Sequence, residues 1–317
     1  MQRKLFFFYS FLITLPQISL AHVKWFAEPV REVSSYRFND IWVISWILIC
    51  SAVIGLGVYF ERKISVPNWV IKISQKYGDL AHTICSIGIG LSLILFSYNG
   101  YIFAPNLPLQ NSLGTALLVL QALVGGIIVL GFFVRVASVL LLALFVFGII
   151  QNGFVEMLDT LEILGISIYL FIAGRAKWSL GDFRLLESLT KKLTDFSVPL
   201  LRVFVGLNLI ILGFSEKILN PSLTQSFLSE YHWNFMQNMG FLWFTDYWFA
   251  FSAGVAESLI GVFLVLGLLT RLTTLALAGF LVTTLILLGP VELIGHLPHF
   301  SIAIVFLVFG SGNKLKI

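Results

Sequence analysis

Charge is what this sequence has least of: Asp, Glu, Lys and Arg together make up 11% of its 317 residues, while 58% are hydrophobic. Soluble domains carry about a quarter charged residues, so a water-soluble globule is excluded and a polytopic membrane protein is indicated. Cysteine is nearly absent as well. Cys50 and Cys85 lie far apart in apolar runs, which leaves no disulfide framework and no CxxC pair and makes them packing residues. Also missing are a P-loop, an HExxH helix, a G-x-S-x-G turn, a CxxCH haem motif and a dinucleotide-binding glycine fingerprint. Their absence argues against an autonomous hydrolase or nucleotide enzyme.

What is present is apolar helix with a few polar groups lodged in it. The stretch 253–271 reads as a membrane span holding one carboxylate, Glu257, and ending at Arg271. Counted from a span that begins near Trp248, Glu257 lies about ten residues in, roughly 15 Å from one edge of a ~30 Å hydrocarbon layer. A carboxylate at such depth costs ~2.5 to 3.5 kcal/mol, so it should face protein or water. Ala253, Glu257 and Gly261 share a helix face on which another helix can approach closely.

Residues 1–21 begin with Arg3 and Lys4, run through apolar residues and close on Ser19, Leu20, Ala21, the pattern of a signal peptide that would leave His22 as the mature N-terminus. Residues 22–40 read as a periplasmic segment, and 41–79 as a leading span followed by an amphipathic cytoplasmic linker. Two groups of four spans follow, 80–173 and 199–317, joined by a cytoplasmic linker at 174–198, giving nine spans after the leader. Fourteen Lys and Arg fall on the expected inner flanks and four on the outer ones. That asymmetry places the mature N-terminus in the periplasm and the C-terminus in the cytoplasm of a bacterial inner membrane. It also accounts for the net charge of +4 without a nucleic-acid partner; the lipid bilayer is the partner implied.

The two groups read as a tandem repeat. An offset of 136 residues pairs Gly125 with Gly261, Gly131 with Gly267, Arg135 with Arg271, Glu156 with Glu292 and Gly174 with Gly310; an offset of 116 pairs Gly90 with Gly206 and Pro105 with Pro221. The 20-residue difference is an insertion within 222–247. Polar groups are concentrated in the second copy: Glu257 answers Gln121, His296 answers Thr160, His299 answers Ile163, and Glu216 and Lys217 answer Gly100 and Tyr101. The fold expected is therefore an all-α membrane bundle of one leading span and two four-helix repeats.

The stretches LLRVFVGLNLIILGFSEKILNP (200–221) and AESLIGVFLVLGLLTRLTTLAL (256–277) resemble the DoxX/DoxD family of four-helix membrane proteins. They are similar to its first span, ending in Gly-x-x-Lys, and its second, with an embedded Glu and a Gly-Leu-Leu-Thr-Arg turn. Here the first motif is stretched to Gly213-x-x-x-Lys217. The resemblance implies an inner-membrane bundle. In some members it implies a subunit of a thiosulfate:quinone or quinol oxidoreductase system, in others association with sulfur- or superoxide-handling enzymes.

Three readings of the polar groups fit the residues. In the first, a redox-associated subunit handles quinone or protons on the periplasmic side, with Glu257 as buried acid or base, Lys217 and Glu292 beside it, and a periplasmic or membrane redox partner. The aromatic insertion, with Tyr231, Trp233 and Trp243, would then roof a hydrophobic cofactor; such density of aromatics also suits an interfacial belt. In the second, His296, His299, His232 and a terminal His22 hold a transition metal. In the third, the bundle is a scaffold for a periplasmic enzyme. Glu216 and Lys217 read most simply as a mutually shielding pair at the interface, and His296 and His299 as flanking Pro298 at the start of the last span.

Overall fold

The computed structural model describes residues 23–25, 27, 33–175, 177, 179, 181, 184–312 and 314–317. The expected leader 1–21 and His22 lie outside them. The described chain is helical, with one isolated β-bridge between Tyr101 and Pro108. A 3-10 turn, Val23–Trp25, precedes α1 (Ile41–Lys63), α2 (Asn68–Tyr98), α3 (Ser112–Leu130), α4 (Val134–Asn152), the short α5 (Phe154–Met157) and α6 (Glu162–Ala173). Then come α7 (Arg184–Lys191), α8 (Thr194–Leu212) continued by a π-helical turn Gly213–Ile218, α9 (Pro221–Tyr231), α10 (Phe235–Asn238), α11 (Asp246–Leu266), α12 (Thr270–Leu288) and α13 (Pro290–Phe309).

Among the described residues seven helices are long and apolar enough to cross a membrane, where the sequence reading has nine spans; the other two, Glu162–Ala173 and Thr270–Ile286, are apolar but shorter. The twelve residues of α6 rise only ~18 Å, so that segment gains depth from the turns before it. A second difference concerns 61–79. Instead of a separate surface helix before a span, α2 runs unbroken over 31 residues, ~46 Å at 1.5 Å per residue. Its first turns, with Lys72 and Lys76, extend past what a ~30 Å apolar layer covers.

Packing follows the glycines. A Cβ on Gly90 would come 2.6 Å from the Gly125 carbonyl oxygen, and one on Gly206 would come 2.6 Å from that of Gly261, so α2 crosses α3 and α8 crosses α11 at backbone contact. Gly131 and Gly267 end α3 and α11 in the left-handed conformation, φ 79° and 74°, which glycine adopts without steric cost. Arg135 lies against Gly174 and Arg271 against Gly310. Arg271 donates from Nε to the Leu307 carbonyl and from an Nη to that of Val308, both at 2.9 Å, neutralising the negative end of α13.

The helices do not separate into two bundles side by side. The last helix of the first group, α6, packs on α8, the first of the second group; α13 packs on α2, the first of the first group. Each group is thus completed by the other, and the polar interior lies between them. The leading helix α1 stands apart, with 11% of its apolar window buried against 61% for Thr194–Ile218, and it touches the bundle through α11.

Candidate functional site

Glu257 is the twelfth residue of α11, about 17 Å along its axis. Its face is built of Ala253, Gly254 and Gly261, all buried. Gly213 and Gly254 bring α11 against the outer end of the α8 segment: a Cβ on Gly254 would lie 2.7 Å from the Gly213 carbonyl oxygen and 2.8 Å from the Lys217 Cβ. The π turn sits at this crossing. Bonding i to i+5 accommodates one extra residue per turn, which gives a physical reason for the stretched Gly213-x-x-x-Lys217 spacing.

The result is a buried charge cluster. Lys217 Nζ lies 2.8 Å from Glu257 Oε2 and 3.9 Å from Glu216 Oε2, and all three side chains are at most 4% exposed. Glu216 and Lys217 are therefore not principally a pair shielding each other at the interface: Lys217 is closer to Glu257. Glu216 instead accepts a hydrogen bond from the Val23 backbone N–H at 2.8 Å. Its own carbonyl takes the Thr224 hydroxyl at 3.0 Å.

Glu292 forms the second centre. Its Oε2 is 2.6 Å from His296 Nδ1 and accepts from the Thr284 hydroxyl at 3.1 Å, fully buried. His299 follows, its ring 5.6 Å from that of His296. The two histidines lie inside α13 and not at its start, because that helix begins at Pro290 and carries Pro298 within it. The two centres lie on different helices, α11 and α13.

A three-residue segment closes over both centres, and nothing in the sequence marks it. Lys24 Nζ reaches Asp159 at 2.6 Å and Glu156 at 3.6 Å. Burial alone would lower this amine; Asp159, with Glu156 and Glu216 behind it, outweighs burial and holds the amine above its ordinary value. Trp25 donates from its indole N–H to Asn106 Oδ1 at 3.1 Å and sets its ring 5.0 Å from that of His296, over Gly295. Asp159, Glu162 and Asn208 also escaped the sequence reading. Asn208 Oδ1 accepts from the Leu161 N–H at 2.8 Å. Its Nδ2, with Glu162 Oε2 and Glu292 Oε1, is buried without a hydrogen-bond partner among the described residues.

Other candidates fall elsewhere. His232 is exposed at the end of α9 with φ 53°, and forms no hydrogen bond, ion pair or ring contact with His296 or His299. Among the described residues no group of three or more His, Cys, Asp or Glu is disposed to hold a metal ion. Tyr231 and Trp233 pack around Phe227, at 4.7 and 5.2 Å between ring centroids, in an apolar cluster that includes Val23. Trp243 is exposed and stacks on Trp42 of α1 at 5.5 Å. These rings therefore pack against the N-terminal segment and α1. Behind the charge cluster, an apolar groove of about 320 Å³ runs between α1 and α11, flanked by Trp46, Phe214, Ile218, Val255 and Ser258.

The DoxX family model matches residues 197–290. Over that stretch the chain is DoxX-like. The DoxX match takes in Lys217 and Glu257 and stops short of Glu292 and the two histidines, so the second polar centre lies on a helix beyond the matched part. No curated protein and no solved structure matches the chain.

Proposed function

We propose that this DoxX-like membrane protein handles protons for quinone redox chemistry, at a site opening to the periplasmic face of an inner membrane. The carrying observation is the buried cluster itself. Among the described residues Glu257 and Glu216 face Lys217, and Asp159 faces Lys24. Buried charges are costly unless paired or neutralised, so carboxylates that share a buried ammonium partner are suited to take up and release protons. Glu257 is the buried acid or base, Lys217 its counter-ion, and Glu292 with His296 and His299 the next proton carriers. The groove between α1 and α11 is where a quinone ring would approach from the lipid, one residue away from Glu257 at Ser258. Two further readings support the placement: the excess of Lys and Arg on the opposite flanks, and a tandem duplication in which only the later copy acquired the charged pair.

The test needs no electron donor. The mildly solubilised protein is loaded with a quinone, reduced electrochemically and followed by infrared difference spectroscopy. A carboxylic acid band that appears on quinone reduction and disappears in Glu257→Gln is expected. Wild-type protein that retains no quinone and shows no carboxyl signal would overturn the proposal.

A further inference from the structure

The opposite end of the bundle holds a second built cleft. About 440 Å³ in volume, within the roughly 300–1,000 Å³ range of small-molecule sites, it lies between the α1–α2 turn, the start of α12 and the residues after α13. Its polar lining includes Glu61, Gln75, Thr270, Arg271, Ser311 and Lys316. Three observations point to what it takes.

First, Thr270 lines the cleft and is 3% exposed, and its buried hydroxyl has no hydrogen-bond partner among the described residues. A buried hydroxyl left unpaired costs about as much as a lost hydrogen bond, so a ligand acceptor there would satisfy it. Second, the cleft carries both signs of charge. Arg271 and Lys316 are cationic; Glu61 caps α12 by accepting the Leu269 N–H through Oε2 at 2.8 Å and borders the same space. Third, an apolar groove of about 200 Å³ between α1, α11 and α12 shares Leu269 and Leu272 with the cleft and includes Val53, Leu259 and Ala276. A polar chamber at the end of the helices, next to an apolar groove along them, matches a headgroup joined to an acyl chain.

From this we infer a phospholipid site for an aminophospholipid of the phosphatidylethanolamine class. Its phosphodiester meets Arg271, Lys316 and the Thr270 hydroxyl, its ammonium meets Glu61, and one acyl chain follows the groove beneath α1. A quinone headgroup carries no anionic charge to meet Arg271 and Lys316, and a free phosphate would have no use for the groove. Because α1 is otherwise held through α11, the lipid would also brace it against α12.

Native mass spectrometry of the full-length protein in mild detergent tests this, using phosphatidylethanolamine, phosphatidylcholine, a benzoquinone with an isoprenoid tail, and inorganic phosphate as separate probes. One tightly held phosphatidylethanolamine per chain is expected. Thr270→Val, which removes a hydroxyl with no partner inside the protein and so should leave the fold intact, and Lys316→Gln should each weaken retention, the latter roughly tenfold for a lost charge-assisted contact. Glu61→Gln, which keeps an acceptor for the Leu269 N–H, should erase the preference for phosphatidylethanolamine over phosphatidylcholine. Equal retention in wild type, Thr270→Val and Lys316→Gln would mean annular lipid only and overturn the site. So would tighter binding of the quinone, or binding of inorganic phosphate as strong as that of the lipid.

Discussion

Gln121 and Glu257 occupy corresponding places in the two groups of helices, each on the second helix beside a close glycine crossing, and each meets the chain that leaves the first helix. Gln121 takes the Phe103 N–H on its Oε1 at 3.2 Å and donates from Nε2 to the Leu93 and Tyr101 carbonyls and the Ser97 hydroxyl, at 3.0 to 3.2 Å. Glu257 faces Lys217, the counterpart of Tyr101, at 2.8 Å. One region solves the problem of a polar group inside a helical bundle with a neutral amide whose contacts all stay within its own elements. The other keeps a charged pair and leaves polar atoms nearby unsatisfied. The first arrangement fastens a loop; the second is the one on which the proposed function rests.

The comparison is broken most forcefully at Lys217. Lys217→Ala leaves Glu257 buried without its cation and should cost about 3 to 5 kcal/mol in unfolding free energy, measured by denaturant titration in detergent. Lys217→Met combined with Glu257→Leu should recover much of that, since a buried ion pair is often replaced by apolar side chains at little cost, while abolishing the carboxyl signal on quinone reduction. If the double variant is as unstable as the single one, the pair is structural in the manner of Gln121 and the contrast falls. Gln121→Leu comes next, at about 1 to 3 kcal/mol for stranding a buried backbone N–H and the facing carbonyls, with no expected change in proton chemistry.

The glycine crossings sharpen the same comparison from the other side. Gly90→Ala and Gly206→Ala push a methyl into a carbonyl oxygen at nearly identical distances, and overpacking of this kind costs typically 1 to 3 kcal/mol. The two should be destabilised alike, within about 0.5 kcal/mol. A large difference would mean the two crossings are not equivalent supports.

Much of this was legible beforehand because hydropathy, glycine spacing and a lone carboxylate in an apolar run are local signals. Glu257, Lys217, Glu292, His296 and His299 stand out as ionisable groups in apolar sequence, and the structure pairs Lys217 with Glu257 and sets Glu292 beside His296 and His299. The exchange of last helices between the groups was not legible, since matching glycines say which helices cross but not whether α6 closes on α2 or on α8. Nor was Val23–Trp25, whose contacts with Glu216, Asp159 and His296 span well over a hundred residues and rest on a backbone N–H and a ring face that no motif records. The packing of Tyr231 and Trp233 around Phe227 was not legible for a related reason: aromatic density looks the same in sequence whichever neighbours it meets.

The smallest effect expected is at that closing segment, and its pH dependence has a definite sign. The Lys24 amine is held above its ordinary value by Asp159, so the stability it contributes is fully present below the unfolded lysine value of about 10.4 and is lost as pH rises through the higher folded one. Hydrogen exchange of the Val23–Trp25 amides should therefore stay protected, once corrected for intrinsic rates, up to about pH 10 and weaken only above it. Lys24→Met should lower protection by roughly tenfold, about 1.4 kcal/mol for a partly exposed charge-assisted contact, at every pH below that point, and flatten the profile. Weakening that sets in as the pH falls toward the carboxylate range would move the controlling group from the lysine to its Asp159 partner, and would make the closure itself a proton-operated part of the site.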